Sequence, residues 1–207
     1  FRLAPEHHVL LLVLHHIVVD GLSIDILLHE LSQAYAALGQ QRMPALPQLP
    51  LDYADVAAWQ HSAPVREREG AHLEYWKHQL AGAPAFLSLP TDKPRPSVLG
   101  DTGALSRFHR LSPALEQALT KVCREHQVTH FMVLGAALSA LLHRHSGQDD
   151  VSVGTPVSGR PHPALEDLVG LFTNTVVLRT RFAPGTTFAE LLASTRTTAL
   201  EAFTHQD

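Results

Sequence analysis

The longest run of apolar positions, Val9 to Leu14 (VLLLVL), is followed at once by HHIVV and then by Asp20-Gly21. Over 9–19 the chain is apolar except for His15-His16, with four Val and one Ile. That pattern predicts a strand buried on both faces, which Gly21 breaks. Ser23 is placed to cap a helix, with Asp25 in its first turn to complement the dipole. Leu27, Leu28, Leu31, Ala34, Tyr35 and Leu38 then recur at helical spacing up to Gly39. Pro44, Pro47 and Pro50 mark a loop. Two helical stretches follow, YADVAAWQ (53–60) and REREGAHLEYWKHQL (66–80), and then a Pro- and Gly-dense segment, 89–103, that reads as a crossover between two lobes.

Beyond it, Ser112-Pro113 opens a helix with proline at its first position. A second helix over 131–145 is apolar on most sides and should be core. VSVGTPV (151–157) reads as a strand, and so does the second half of LVGLFTNTVVLRTRF (168–182). Thr187 and Glu190 form a capping box for a last helix. Helices and strands alternate without an internal repeat, so the fold class is α/β or α+β with a sizeable sheet.

Composition narrows the classes of function. The 207 residues suffice for one large domain or parts of two, and 45% hydrophobic content supports a packed core. Charged residues are 17%, against about 25% for typical soluble domains. A net charge of −4 without a basic run argues against nucleic acid as a partner. The single Cys123 excludes a disulfide framework and a cysteine-built zinc site, and it suits a reducing, cytoplasmic setting. VLLLVL is far shorter than the roughly 20 residues of a membrane helix, and no signal peptide is present. The chain starts at Phe1 and stops at Asp207 with neither end capped, and it reads as an internal segment, inactive when isolated.

Of the 15 histidines, most are expected to be surface or satisfied core residues, and His7-His8 has no assigned role. His15-His16 stands apart because it closes a buried run. Neighbours on a strand point to opposite faces, so one histidine is expected to face a cleft while the other supports it. His16 and Asp20 would lie about 13 Å apart on a strand, too far to share a metal or a hydrogen bond unless the chain turns between them. No metal site is expected. A buried Asp20 without a histidine partner needs a cation, and arginine suits a carboxylate best. Phosphate-binding GxxxxGK[ST] and GxGxxG loops are absent, and GTPVSG (154–159) lacks the spacing of a nucleophile elbow.

His15-His16-Ile17-Val18-Val19-Asp20-Gly21 resembles the HHxxxDG signature of the condensation domains of nonribosomal peptide synthetases, which are similar to chloramphenicol acetyltransferase. YADVAAWQ is similar to the family's Y-x-D-F/Y-A-x-W-Q segment, with Val56 in place of the aromatic residue. YWKHQLAGAP with LPTDKPRP resembles its bridge between lobes. VGTPVSGRP and DLVGLFTNTVVLR resemble the G-x-F-x-N-T motif and what precedes it, and His205-Gln206-Asp207 resembles the start of the HQD motif. The matches keep the family's order along nearly the whole chain.

The resemblance implies two chloramphenicol-acetyltransferase-like lobes, both incomplete here: part of the N-terminal lobe over 1–88, the crossover 89–103, and part of the C-terminal lobe over 104–207. It implies amide formation between a donor acyl or peptidyl thioester and an acceptor aminoacyl thioester, both carried on 4'-phosphopantetheine. No cofactor is expected on the chain itself. Donor and acceptor peptidyl carrier proteins and an adjacent adenylation domain are the implied partners. His16 would act as base on the nitrogen of the tetrahedral intermediate, or would position the amine. An imidazole, with a reference pKa of about 6.5, suits either task near neutrality.

His15, Asp20 and Gly21 would support His16. Asp20 would pair with Arg160 first, with Arg95, Arg179 or an arginine outside the chain as alternatives. Ser23, through the N–H groups of its helix start, and Asn174 would line the tunnel between lobes. Three other readings share features of the chain: an epimerization domain, a stand-alone CoA-dependent acyltransferase and a non-catalytic recruitment platform.

Overall fold

A computed structural model describes residues 1–94 and 106–206. Most of the crossover expected over 89–103, Arg95 included, lies outside the described residues, as does Asp207. In chain order the elements are β1 (Arg2–Ala4), β2 (His7–His8), α1 (Gly21–Gly39), α2 (Tyr53–Gln60), α3 (Ala63–Leu80), α4 (Pro113–His126), α5 (His130–Ser146), β3 (Asp150–Val157), a 3-10 turn (Pro163–Leu165), β4 (Asn174–Arg181) and α6 (Phe188–Thr204). They fall into two compact units, Phe1–Leu73 with Pro156–Thr175, and Glu74–Thr155 with Val176–Gln206. Among the described residues, no helix is long and apolar enough to cross a membrane.

In the first unit, β1 and β2 form a short antiparallel hairpin. Phe1 and Val9 extend it by exchanging backbone hydrogen bonds of 2.7 and 2.8 Å. The strand expected over 9–19 does not form. Residues 9–15 have no ladder partner among the described residues, and the chain turns at 16–18, where the Val18 N–H reaches the His15 carbonyl at 3.1 Å. Leu10 to Leu14 are 42–83% exposed. An apolar run shows a preference for burial, but a strand exists only where a second segment supplies the ladder.

α1 also starts earlier than the pattern suggests. Its N-cap is Asp20, whose carboxylate accepts the Ser23 N–H, so Ser23 is the third helical residue and Asp25 falls beyond the first turn. An ionised carboxylate accepts more strongly than a hydroxyl, and Asp20 is already held in place by other bonds. Gly39 is the last helical residue rather than the stop, and Gln41 takes the left-handed conformation, φ 57°. The core of this unit is a cluster of Val56 from α2 with Leu165, Leu168 and Phe172.

In the second unit α5 packs against α4 and α6. Ser112 and Thr129 cap α4 and α5, and the Thr187–Glu190 capping box opens α6. Met132, Val133 and Ala136 of α5 meet the core that Leu191, Leu192, Ala199 and Ala202 of α6 help to build, beside Val151 of β3 and Leu178 of β4. Leu192 is 1% exposed, and Leu192→Ala is expected to destabilise the protein by about 2–5 kcal/mol in a urea titration. A loss below about 1 kcal/mol would mean that the site collapses around the missing side chain.

Arg179 of β4 is buried in this unit. It makes a bidentate pair with Asp150 of β3, at 2.8 Å from Nε and 2.5 Å from Nη2. Its Nη1 also donates to the carbonyls of Gln79 and Ala81, each at 2.8 Å, closing the C-terminal end of α3. The bonds from Arg179 hold the Asp150 carboxyl below the usual carboxylate range against the opposing effect of burial.

Candidate functional site

The site is built outward from Asp20, at the junction of the histidine turn and α1. Asp20 is 2% exposed, and its partner is Arg160, from the loop after β3. Arg160 Nη1 lies 2.6 Å from Asp20 Oδ2, and Nη2 lies 3.2 Å from Oδ1. The rest of the guanidinium is also used. Nε donates to the Leu165 carbonyl at 3.1 Å, and Nη2 donates to the Leu168 carbonyl at 2.9 Å and to Ser23 Oγ at 3.1 Å. The guanidinium lies 4.2 Å from the centroid of the Phe172 ring, a stacking that arginine supports and lysine does not match.

Asp20 is equally saturated. Oδ1 accepts from the Ser23 N–H at 2.9 Å and Ser23 Oγ at 2.8 Å; Oδ2 accepts from the Phe172 N–H at 3.1 Å and Thr173 Oγ1 at 3.4 Å. Burial by itself pushes the Asp20 pKa up. The bonds from Arg160, Ser23 and Phe172 outweigh it and hold the carboxyl well below the ordinary range.

Two glycines let this network close. Gly159 has φ +62°, and a Cβ there would stand 1.9 Å from the Phe172 carbonyl oxygen. A Cβ on Gly170 would meet the Tyr53 ring at 2.3 Å. Tyr53 opens α2, packs edge-on to Phe172 and donates its hydroxyl to the Leu171 carbonyl at 2.8 Å. Tyr53→Phe, which keeps the ring and removes that bond, is expected to lower stability by about 0.5–1.5 kcal/mol in thermal unfolding. An unchanged midpoint would show that water replaces the hydroxyl without loss.

His16 lies just before this anchor, exposed, and makes no hydrogen bond among the described residues. Its side chain borders an open cleft of about 340 Å³, with Leu12, Leu14, Val19, Gly21 and Ile24 around it. A Cβ on Gly21 would meet nothing within 4 Å, so the space over that residue is open. His15 is tied down instead, its Nδ1 accepting the Ile17 N–H at 3.1 Å. The chain does turn between His16 and Asp20, but the Asp20 carboxylate points to Arg160. No group of three or more His, Cys, Asp or Glu among the described residues is arranged to hold a metal ion.

The structure corrects two expectations for Ser23. Asp20 rather than Ser23 is the helix cap, and the Ser23 N–H is occupied by Asp20 and so is not free to meet an oxyanion. Its side chain is fully buried against Gly170 and Arg160 and does not line open space. Arg179 takes no part, since it serves Asp150. Asn174 opens β4, is exposed, and accepts the Thr175 N–H at 2.8 Å.

Residues that the motif reading left without a role, Tyr53, Gly159, Gly170 and Phe172, enclose the Asp20–Arg160 pair. The left-handed turn at Gly159 was the one signal for them in the sequence, a glycine directly before the arginine. The carbonyls of Leu165 and Leu168 carried none, because any residue type supplies a carbonyl.

The geometry has counterparts among known proteins. The condensation domain family model matches residues 1–207, and the chain belongs to that family. It is 46% identical over 206 residues to a linear gramicidin synthase of Brevibacillus parabrevis, covering all of this chain and 4% of that synthase. Among solved structures it resembles the SgcC5 protein from Streptomyces globisporus, with a TM-score of 0.81 and 35% identity over 93% of this chain and 43% of that one. It is also similar to the first condensation domain of the calcium-dependent antibiotic synthetase in complex with a substrate analogue, with a TM-score of 0.70 and 27% identity over 92% of this chain and 42% of that one. The mixed helix-and-strand fold is thus that of condensation domains in synthetases of antibiotics and other secondary metabolites. The chain spans less than half of those solved relatives and a small part of the synthase.

Proposed function

We propose that this chain carries the histidine-bearing part of a condensation domain that joins a donor acyl or peptidyl thioester to the amine of an acceptor aminoacyl thioester. Both substrates would ride on the phosphopantetheine arms of carrier proteins, with an adenylation domain in the same synthetase. The observation that supports this reading best is the unbonded His16 imidazole at an open cleft, beside a backbone held rigidly by Asp20 and Arg160.

In this reading the neutral amine attacks the donor carbonyl and a C–N bond forms. His16 takes a proton from the nitrogen of the tetrahedral intermediate. The C–S bond then breaks, and the proton passes to the departing thiolate of the donor arm. An α-amino group has a reference pKa of about 7.7–8.0, so part of it is neutral at pH 7, and the base is needed after attack rather than before. His15 acts through the turn it closes, and Gly21 leaves room for the reacting groups.

The test is intact-protein mass spectrometry of the acceptor carrier in the full-length protein with both carriers loaded. The expected result is a gain equal to the donor acyl group. An unchanged mass with an inverted acceptor stereocentre would indicate an epimerase, and no change at all a recruitment platform. Acyl transfer from free CoA thioesters in place of the loaded donor carrier would indicate a CoA-dependent acyltransferase.

Gly21→Ala probes the same space. It is expected to fold at least as stably, by up to about 1 kcal/mol, because alanine is the better helix residue and its Cβ meets no neighbour. Transfer is expected to slow by roughly tenfold or more as the methyl displaces the reacting groups. Wild-type transfer rates in this variant would move the reaction away from Gly21.

A further inference from the structure

The buried Ser23 hydroxyl goes beyond capping. It has 0% exposure and four partners within hydrogen-bonding distance: Asp20 Oδ1 at 2.8 Å, the Gly170 carbonyl at 2.8 Å, the Gly170 N–H at 3.0 Å and Arg160 Nη2 at 3.1 Å. A hydroxyl has one proton and two acceptor sites. The Gly170 N–H and Arg160 fill the acceptor sites, and the proton is shared between the Asp20 carboxylate and the Gly170 carbonyl. Ser23 therefore ties the first turn of α1 to both edges of the Gly170 peptide backbone. Gly170 can approach so closely because it has no Cβ to strike Tyr53.

His16 has no bond of its own to fix it among the described residues. Its place depends on the backbone of Val19, Asp20 and the α1 start, which the Ser23 contacts lock. We propose that Ser23 is a positioning residue for the condensation reaction, acting through His16 by clamping α1 to Gly170; this rests on the reading of His16 given above.

The test is a double-mutant cycle on single-turnover transfer between loaded carriers in the full-length protein. Ser23→Ala leaves the Gly170 N–H and one Arg160 N–H without their acceptor. It is expected to slow transfer about 10- to 100-fold, the size of a displacement of an ångström or less. In the His16→Ala background the same substitution is expected to change the rate less than about threefold, because the group it positions is gone. Ser23→Cys, which keeps a small polar group, should show a milder loss with the same non-additivity, and it serves if the alanine variant does not fold. Leu192→Ala, destabilising but in the second unit, is the control for stability alone and should transfer at the wild-type rate below its melting temperature.

Equal losses in both backgrounds would overturn the proposal, as would wild-type rates in Ser23→Ala and Ser23→Cys. If wild type itself transfers nothing, the condensation reading fails and takes the clamp's role with it. If wild type transfers and only the cycle is additive, the clamp fails alone.

Discussion

Arg160→Ala is expected to destabilise the protein by about 3–5 kcal/mol, the range for removing one partner of a buried ion pair. With side chains 2% and 0% exposed, neither Arg160 nor Asp20 has water to turn to. Removing the guanidinium strands the Asp20 charge with only the donors of Ser23, Phe172 and Thr173, and it deprives the Leu165 and Leu168 carbonyls of theirs. Domain stabilities run to about 5–15 kcal/mol in all, so the change is a large share. Arg160→Lys should recover only part of it, since one ammonium has three donors and cannot span both carboxylate oxygens and two carbonyls. Urea unfolding followed by tryptophan fluorescence measures both variants. A loss under about 1 kcal/mol for Arg160→Ala would show that water enters and replaces the guanidinium.

The same pair sets a pH dependence. The Asp20 pKa in the folded state lies below its unfolded value, near 3.9. Its contribution to stability is therefore complete above that value and is lost as pH falls from about 4 toward the lower folded pKa. Asp150 in the second unit is shifted in the same direction by Arg179. Stability should thus be flat in this respect from pH 5 to 8 and decline below about 4. Asp20→Asn should begin from a lower value and show a shallower acid slope.

His16→Ala is the second large effect, on rate rather than on stability. A positioned base contributes about 10²–10⁴-fold, and transfer between loaded carriers is expected to fall by that factor. The exposed imidazole makes no hydrogen bond among the described residues, so the unfolding midpoint should barely move. The contrast with Arg160→Ala is the useful part: one substitution removes chemistry and leaves the fold, and the other removes the fold's anchor. Transfer that persists in His16→Ala at full rate would leave amide formation to the amine alone and sink the base assignment.

Most helices were legible in the sequence because their signals are local. Ser112-Pro113, Thr129 and the Thr187–Glu190 box mark their starts, and apolar residues at helical spacing carry α5 and α6. The motif around His16 was also legible, since residue types at fixed spacing define it. What local signals could not supply was any relation between segments distant in sequence. The run 9–14 looked like a strand because it is apolar, yet no ladder partner for it lies among the described residues. Ser23 looked like a cap because serine caps helices, yet Asp20 took that place.

Asp20 by itself called for a cation, and its burial chemistry follows from one residue. The cation's identity follows from contacts across 140 positions of chain, and so does the choice of Gly170 as the seat of the Ser23 hydroxyl, 147 positions away. Alone, the sequence determined the helices, the family and the residues that could do chemistry. Only the tertiary structure decided that Arg160 rather than Arg179 meets Asp20, that Ser23 faces inward, and that His16 is left unbonded among the described residues. Propensities and caps act within a few residues, whereas a buried charge is satisfied by whichever groups the fold brings within about 3 Å.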